Sequence, residues 1–248
     1  MRLEAPFLPL GEHIAARLPD AHVVFTTRRG GVSRGPYASL NLGRWTEDEP
    51  AAVEANRDRL AASLGLERAR IAQGRQVHEA TVRRVTAPPD PDLPPAPADG
   101  QATALRGVAP LVLVADCLPI ALAGPGAVAM IHAGWRGLAG GVVAEGIAAL
   151  RELGGRDPIV AALGPGAGPC CYEAGDEVHA AFAAHAPEAR RGRHVDLKLI
   201  ARRALEAAGA AEVHDVGLCT MCAPPGIFFS HRRDGGLTGR QAGLAWRT

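Results

Sequence analysis

The stretch from Leu111 to Trp135, LVLVADCLPIALAGPGAVAMIHAGW, decides the reading of this chain. Leu111 to Leu122 is almost continuously apolar, broken only by Asp116-Cys117 and Pro119. A Gly-Pro-Gly cluster follows at 124–126, and Ala127 to Ile131 is apolar again. Short apolar runs about a Gly-Pro turn predict a buried hairpin, because a strand covered on both faces shows no polar alternation. With Gly124-Pro125 as a two-residue loop, Cys117 stands directly opposite His132 on one face. A loop one residue longer would put the two side chains on opposite faces.

Outward from this hairpin, His22 to Arg28 reads as a β-branched strand ending at a Gly30-Gly31 turn. Pro50 to Leu66, with Val53, Leu60 and Leu64 in helical spacing, reads as an amphipathic helix stopped at Gly65. Six prolines between Pro88 and Pro97 remove donors and force extended backbone. That segment is expected to be a surface loop rather than a domain boundary. Downstream, Gly137–Leu153, Asp176–Ala186 and Leu197–Ala208 read as helices. Ile159–Leu163 reads as a strand, and Glu212–Leu218 and Ile227–His231 as the closing strands. The alternation predicts an α+β fold, a layered α-β sandwich with mixed sheets in which residues 1–248 form a single domain.

Composition narrows the function. The formal net charge is +1 with both signs mixed along the chain, which gives no field for nucleic acid or an anionic membrane. No apolar run approaches the length of a membrane span, and the first residues lack a signal-type apolar region, so the expected location is the cytoplasm. Five cysteines, an odd number, favour free thiols or metal ligands over a disulfide framework.

Three clusters could carry chemistry. Gln76-Val77-His78, Ala115-Asp116-Cys117 and the His132-Ala-Gly-Trp135 segment bring two imidazoles and a thiol, donors that suit zinc. A core thiol with two hydrogen-bonded histidines has the same composition, and Asp116 could equally be a carboxylate capping backbone amides. The run Gly164-Pro-Gly-Ala-Gly-Pro-Cys170-Cys171-Tyr172 lacks nucleotide-binding spacing and reads as a close-approach loop or a tight connection. Cys219-Thr-Met-Cys222 has CxxC spacing, but there is no second CxxC to complete a structural zinc site and no thioredoxin-like setting. Arg28, Arg136 and Arg232-Arg233, each beside glycine-containing turns, could hold an anionic group.

Taken together, the strings resemble the laccase-domain family, described both as polyphenol oxidases and as purine nucleoside phosphorylases. The matching pieces are FTTRRGGVSRGPYASLNLG at 25–43, VEANR at 53–57, QVH at 76–78 and ADCLPI at 115–120. IHAGWRG at 131–137, GPCCYEAGDEV at 168–178 and FFSHRRDGGLTGRQ at 228–241 complete the set, in order along nearly the whole chain. The resemblance implies one zinc bound by His78, Cys117 and His132, which are then also the catalytic residues. It further implies phosphorolysis of adenosine, inosine, guanosine and methylthioadenosine, with adenosine deamination. The expected partners are a purine nucleoside and phosphate, with Arg28, Asn41, Arg136 and Arg232 as candidate substrate-binding residues. Two departures bear on the pocket: Ala167 replaces a larger aliphatic residue, and His231 stands where the family carries tyrosine. Cys222 lies outside the recognised pattern.

Rival readings use the same residues. Copper can take the donors intended for zinc and give weak phenol oxidation, although nine histidines without a His-x-His pair fall short of a multicopper oxidase. A zinc- or cysteine-dependent amide hydrolase acting on cell-wall precursors would need no phosphate. A non-catalytic binding module would tolerate Cys117→Ser, whereas every enzyme reading predicts loss.

Overall fold

The computed structural model describes residues 3–248. Its strands are β1 (Phe7–Leu10), β2 (His13–Leu18), β3 (Ala21–Phe25), β4 (Ile71–Gln73), β5 (Val82–Val85), β6 (Gly100–Thr103) and β7 (Ala109–Val114). They continue with β8 (Leu118–Gly124), β9 (Ala127–Ala133), β10 (Val160–Leu163), the short ribbon β11 (Arg190–Arg191) and β12 (His194–Val195), β13 (Glu212–Asp215) and β14 (Gln241–Arg247). The helices are α1 (Pro50–Ser63), α2 (Trp135–Ala139), α3 (Val142–Glu152), α4 (Asp176–Phe182) and α5 (Leu197–Ala207). Two six-stranded sheets result, in the orders β1-β2-β3-β14-β7-β4 and β13-β10-β8-β9-β6-β5. Both are mixed: β4–β7, β5–β6 and β10–β13 pair in parallel and the other neighbours antiparallel.

The apolar alternation dictates four layers. In β8 and β9, Leu118, Ile120, Leu122, Ala129 and Ile131 face α3 and α5. Their alternate neighbours Ala121, Ala123, Val128 and Met130 meet Val23, Phe25, Val112 and Val114 of the other sheet. On that sheet's far side Leu111, Leu113 and Leu244 pack on Leu60 of α1. Both sheets are therefore covered on both faces, which explains why the decisive stretch has almost no polar residue. The sheets approach closely at Gly243 of β14, where a Cβ would meet Pro119 Cβ at 2.8 Å and Met130 Sδ at 2.9 Å.

Four sequence expectations need correction. The run Leu111–Leu122 is two strands, one in each sheet, and residues 115–117 carry the chain across, turning at Asp116 with φ +92°. The hairpin loop is Pro125-Gly126 rather than Gly124-Pro125, because Gly126 takes a positive φ of 106° that proline cannot adopt. His132 thus lies opposite Pro119, and Cys117 sits two residues back, a diagonal neighbour on the same face. The helix expected over Gly137–Leu153 breaks at Gly140-Gly141 into α2 and α3, with Gly141 at φ +88°. Ile227–His231 is not a strand: the amide of Phe229 donates to Gln241 Oε1 at 2.7 Å, and Gln241 Nε2 donates back to Phe229 O at 3.0 Å. A side chain there does what a neighbouring strand would do, and the closing strand is β14. The proline-rich segment is a largely exposed loop, as expected.

Candidate active site

The crossover between the sheets builds the site. Cys117 ends the crossover, His132 lies near the end of β9, and His78 sits in the loop after β4. One donor atom from each lies within 4.8 Å of the others. Gly134 closes the back: a Cβ there would stand 3.1 Å from Cys117 Sγ and 3.4 Å from His78 Cδ2. His78 and His132 meet edge to face, with ring centroids 4.9 Å apart.

Asp99 organises this trio, and no spacing or motif in the sequence marks it. It is fully buried. Its Oδ1 lies 2.8 Å from His132 Nδ1 and accepts the His78 amide at 2.9 Å. Its Oδ2 accepts the amides of Val77 and Glu79 at 3.1 and 2.8 Å. Burial pushes this carboxyl up, but the hydrogen bonds from His132 and the amides outweigh it and hold Asp99 below its ordinary value. A carboxylate only accepts, so His132 Nδ1 carries the proton and Nε2 is left for a metal. Cys117 and His132 titrate as a pair. Burial disfavours both charges, yet each favours the other, so the thiol is lowered and the imidazole raised.

Backbone strain is concentrated here. Among the described residues three non-glycines have positive φ, and two of them are His78 (+63°) and Asp116 (+92°). Each is tied down. Asp99 holds the His78 amide, while Asp116 accepts from Thr220 Oγ1 at 2.6 Å and from the Arg232 amide at 2.8 Å. The Asp116 carbonyl also accepts the Ala167 amide at 2.7 Å. Asp116 therefore fastens the crossover to the loops after β10 and β13, and its carboxylate caps the Arg232 amide as one sequence reading allowed.

The trio opens into a cavity of about 360 Å³ whose walls include Trp45, Gln76, Tyr172, His231, Arg232 and Arg240. Gln76 fixes the end of β7, exchanging bonds of 2.7 Å with the Leu113 amide and carbonyl. Arg240 uses one guanidinium nitrogen on the carbonyls of Thr238 and Gly239, both at 2.9 Å. Arg232 lies 5.1 Å from the Tyr172 ring centroid, and burial pushes the Tyr172 phenol up.

Of the arginines picked out in the sequence, only Arg232 reaches this wall. The Arg28 guanidinium donates to the carbonyls of Ala38, Pro225 and Pro36 and stacks 4.3 Å from the Phe229 ring, so it holds loops together. Arg136 is exposed and lies over Trp135. Asn41 is fully buried and binds Thr46, Asp48 and the amides of Gly43 and Arg240. It positions the segment carrying Trp45 and Thr46 without itself lining the cavity. Arg240 and Tyr172 lay within strings already recognised, but nothing in their spacing marked them.

A family model described as multi-copper polyphenol oxidoreductase laccase matches residues 22–248. A purine nucleoside phosphorylase of Streptomyces coelicolor is 43% identical over 236 residues, covering 91% of this chain and 95% of that protein. One from Pseudomonas aeruginosa is 43% identical over 232 residues, covering 89% and 91%. Among solved structures, YlmD from Geobacillus stearothermophilus aligns with a TM-score of 0.89 at 34% identity, over 98% of each chain. YfiH from Bacillus licheniformis aligns with a TM-score of 0.90 at 29% identity, over 99% and 100%. None of the helices among the described residues is long and apolar enough to cross a membrane. On sequence and fold, the chain belongs to the laccase-like family, with purine nucleoside phosphorylases among its curated relatives.

Proposed function

We propose that the chain is a zinc-dependent purine nucleoside phosphorylase of the cytoplasm. It would act on adenosine, inosine, guanosine and methylthioadenosine, with adenosine deamination as a second activity of the same pocket. The observation that supports this reading is a His-Cys-His donor set facing a cavity that also carries two arginines and two aromatic side chains. The donor set suits the metal. Two imidazoles and one thiolate are zinc ligands, one imidazole is oriented by a buried carboxylate, and Gly134 keeps the space beside the thiol free. Zinc held by His78, Cys117 and His132 would supply Lewis acidity at a coordination position that three ligands leave open.

The chain's own residues provide binding and orientation. Arg232 and Arg240 offer positive charge to phosphate, and Arg240 keeps donors free because only one of its nitrogens is bonded to carbonyls. Tyr172 and Trp45 present aromatic faces on which a purine can stack, and Trp45 is more than half exposed at the mouth. In the reaction a phosphate oxygen bonds to C1′ of the ribose as the bond to the purine nitrogen breaks, and the electron pair leaves with the base. The products are the 1-phosphate of the nucleoside's own sugar and the free purine base, which takes up the proton that phosphate gives up.

The test is a metal-quantified preparation incubated with inosine or adenosine, with and without phosphate. Hypoxanthine or adenine released only with phosphate, and lost in Cys117→Ser, is the expected result. Nucleosides left intact by metal-loaded protein would overturn the reading and turn attention to amide hydrolysis.

A further inference from the structure

Along the sequence, Cys219-Thr-Met-Cys222 has no second CxxC to complete a set of ligands. The fold supplies the missing pair. Strands β10 and β13 are parallel neighbours, paired from Val160–Glu212 to Leu163–Asp215, so both chains leave the sheet at the same end. The ladder continues into the loops: the Gly166 amide donates to Leu218 O at 3.3 Å, the Thr220 amide donates to Gly166 O at 3.1 Å, and Gly166 bridges Cys219 in parallel. This registration lays Cys170-Cys171 against Cys219 and Cys222, and all four sulfurs lie within 4.8 Å of one another.

Four sulfurs at this separation match one chemistry closely. With zinc–sulfur bonds of about 2.3 Å, the edge of a tetrahedron of thiolates is roughly 3.8 Å. The four sulfurs lie within reach of that edge, and the 2.9 Å approach of Cys170 to Cys222 would open toward it on binding an ion. The surroundings fit thiolates as well. Cys219 Sγ accepts the amides of Gly168 at 3.3 Å and Cys222 at 3.4 Å, the outer hydrogen bonds that orient a ligating sulfur. Lys198 and Arg202 line the depression that also contains Cys170 and Cys219, with Lys198 paired to Asp215 at 2.7 Å. A disulfide fits less well. Cys171 and Cys222 approach as a bonded pair, but their Cα atoms are 7.0 Å apart, beyond the usual range of about 4.4–6.8 Å. Cys222 also lies 2.9 Å from Cys170, so the cluster is shared by more than one pair.

We infer that Cys170, Cys171, Cys219 and Cys222 form a structural tetrathiolate zinc site separate from the His78-Cys117-His132 pocket. Binding converts four thiols to thiolates, releasing four protons as four sulfur–zinc bonds form, with no change of oxidation state. The closed ligand set leaves no position for substrate. Its task is mechanical: it clamps the loop bearing Tyr172 to the loop bearing Thr220, whose hydroxyl holds Asp116 beside Cys117.

The experiment is metal analysis and native mass spectrometry of the full chain purified under reductant. Wild type is expected to carry about two zinc ions, as one closed and one open site would require. Cys117→Ser should retain about one zinc and Cys219→Ser about one, each losing a different ion. Cys170→Ser, at an exposed position, repeats the second measurement with less risk to folding. Cobalt substitution of the Cys117→Ser protein should give the intense visible bands of a tetrahedral tetrathiolate. Wild type with a single zinc that vanishes in Cys117→Ser would overturn the inference. So would a Cys171–Cys222 disulfide that survives reductant, found by peptide mapping, or iron in place of zinc. None of these readouts depends on nucleoside turnover, so the clamp can fail while the phosphorylase reading stands, and the reverse.

Discussion

Two places in this molecule gather metal-capable side chains, and they differ in every property that separates a reactive site from a fastening. The pocket offers three donors from distant segments, with His132 buried and its imidazole held by a buried carboxylate. The cysteine cluster offers four donors from two adjoining loops, with Cys170 and Cys222 exposed. Three donors leave room for a reactant, and four do not. Both arise from the chain leaving a sheet, but the pocket forms where it crosses between sheets and the cluster where parallel strands exit side by side. The contrast teaches that donor count and backbone route say more about the task of a metal site than donor identity does.

The largest expected effect breaks the comparison from the pocket side. Cys117→Ser removes the thiolate between His78 and His132, and phosphorolysis should fall by roughly 10³-fold or more. The melting temperature should change little. Steady-state kinetics and thermal denaturation on one preparation decide this, and unimpaired turnover would leave Cys117 with a packing role. Asp99→Asn comes next. It removes the charge that orients His132, and zinc affinity or activity should drop roughly 10–100-fold. The same change has a pH signature in metal-free protein. The imidazolium that stabilises the Cys117 thiolate is weakened, so the pH at which alkylation of Cys117 becomes fast should rise toward the ordinary thiol range of about 8.5. An unshifted alkylation profile would dissociate Asp99 from the pair.

A smaller effect sharpens the division of labour among the arginines. Arg240→Met should raise the KM for phosphate by roughly 10-fold, about the 1.5 kcal/mol of one charge-assisted hydrogen bond, with kcat less affected. Arg28→Met should leave that KM unchanged and lower the melting temperature instead, since its donors are committed to loop carbonyls. Comparing the two phosphate titrations exposes any error in that assignment. The smallest kinetic effect is expected from the clamp: Cys170→Ser should lower the melting temperature by several degrees while kcat at low temperature stays within about 3-fold. A kcat that collapsed at low temperature with unchanged melting would place the cluster in the chemistry.

How much of this was legible beforehand follows from which interactions are local. The layered mixed-sheet fold could be read because strands covered on both faces leave long apolar runs, and α1 and α5 end where glycine and small residues say they should. The trio could be read because imidazole and thiol are scarce and chemically distinctive, and because the family resemblance pointed to the same three residues. The hairpin register stays ambiguous in the sequence because proline and glycine both favour turns, and only the positive φ of Gly126 separates the alternatives. Asp99 gave no signal because its partners lie about 20 and 33 positions away and a lone aspartate after a proline-rich loop looks like any surface carboxylate. The cysteine cluster was hidden for the same reason: its two halves, 51 residues apart from Cys171 to Cys222, are united only by the pairing of β10 with β13. Phe228-Phe229 misled in the opposite direction, being apolar enough for a strand but hydrogen-bonded to a glutamine side chain.

The crossover at residues 115–117 gives the reactive site an unusual mechanical position. One end of this short link is anchored in each sheet, so the sulfur of Cys117 is read against two independent rulers. A change in the spacing between the layers would be transmitted to the donor geometry even if no pocket residue were touched. Gly243, where a Cβ would press on Pro119 across the layers, is a natural spacer to adjust. A methyl group added there would turn the colour of a cobalt-loaded pocket into a gauge of how firmly the two halves of the molecule are pressed together.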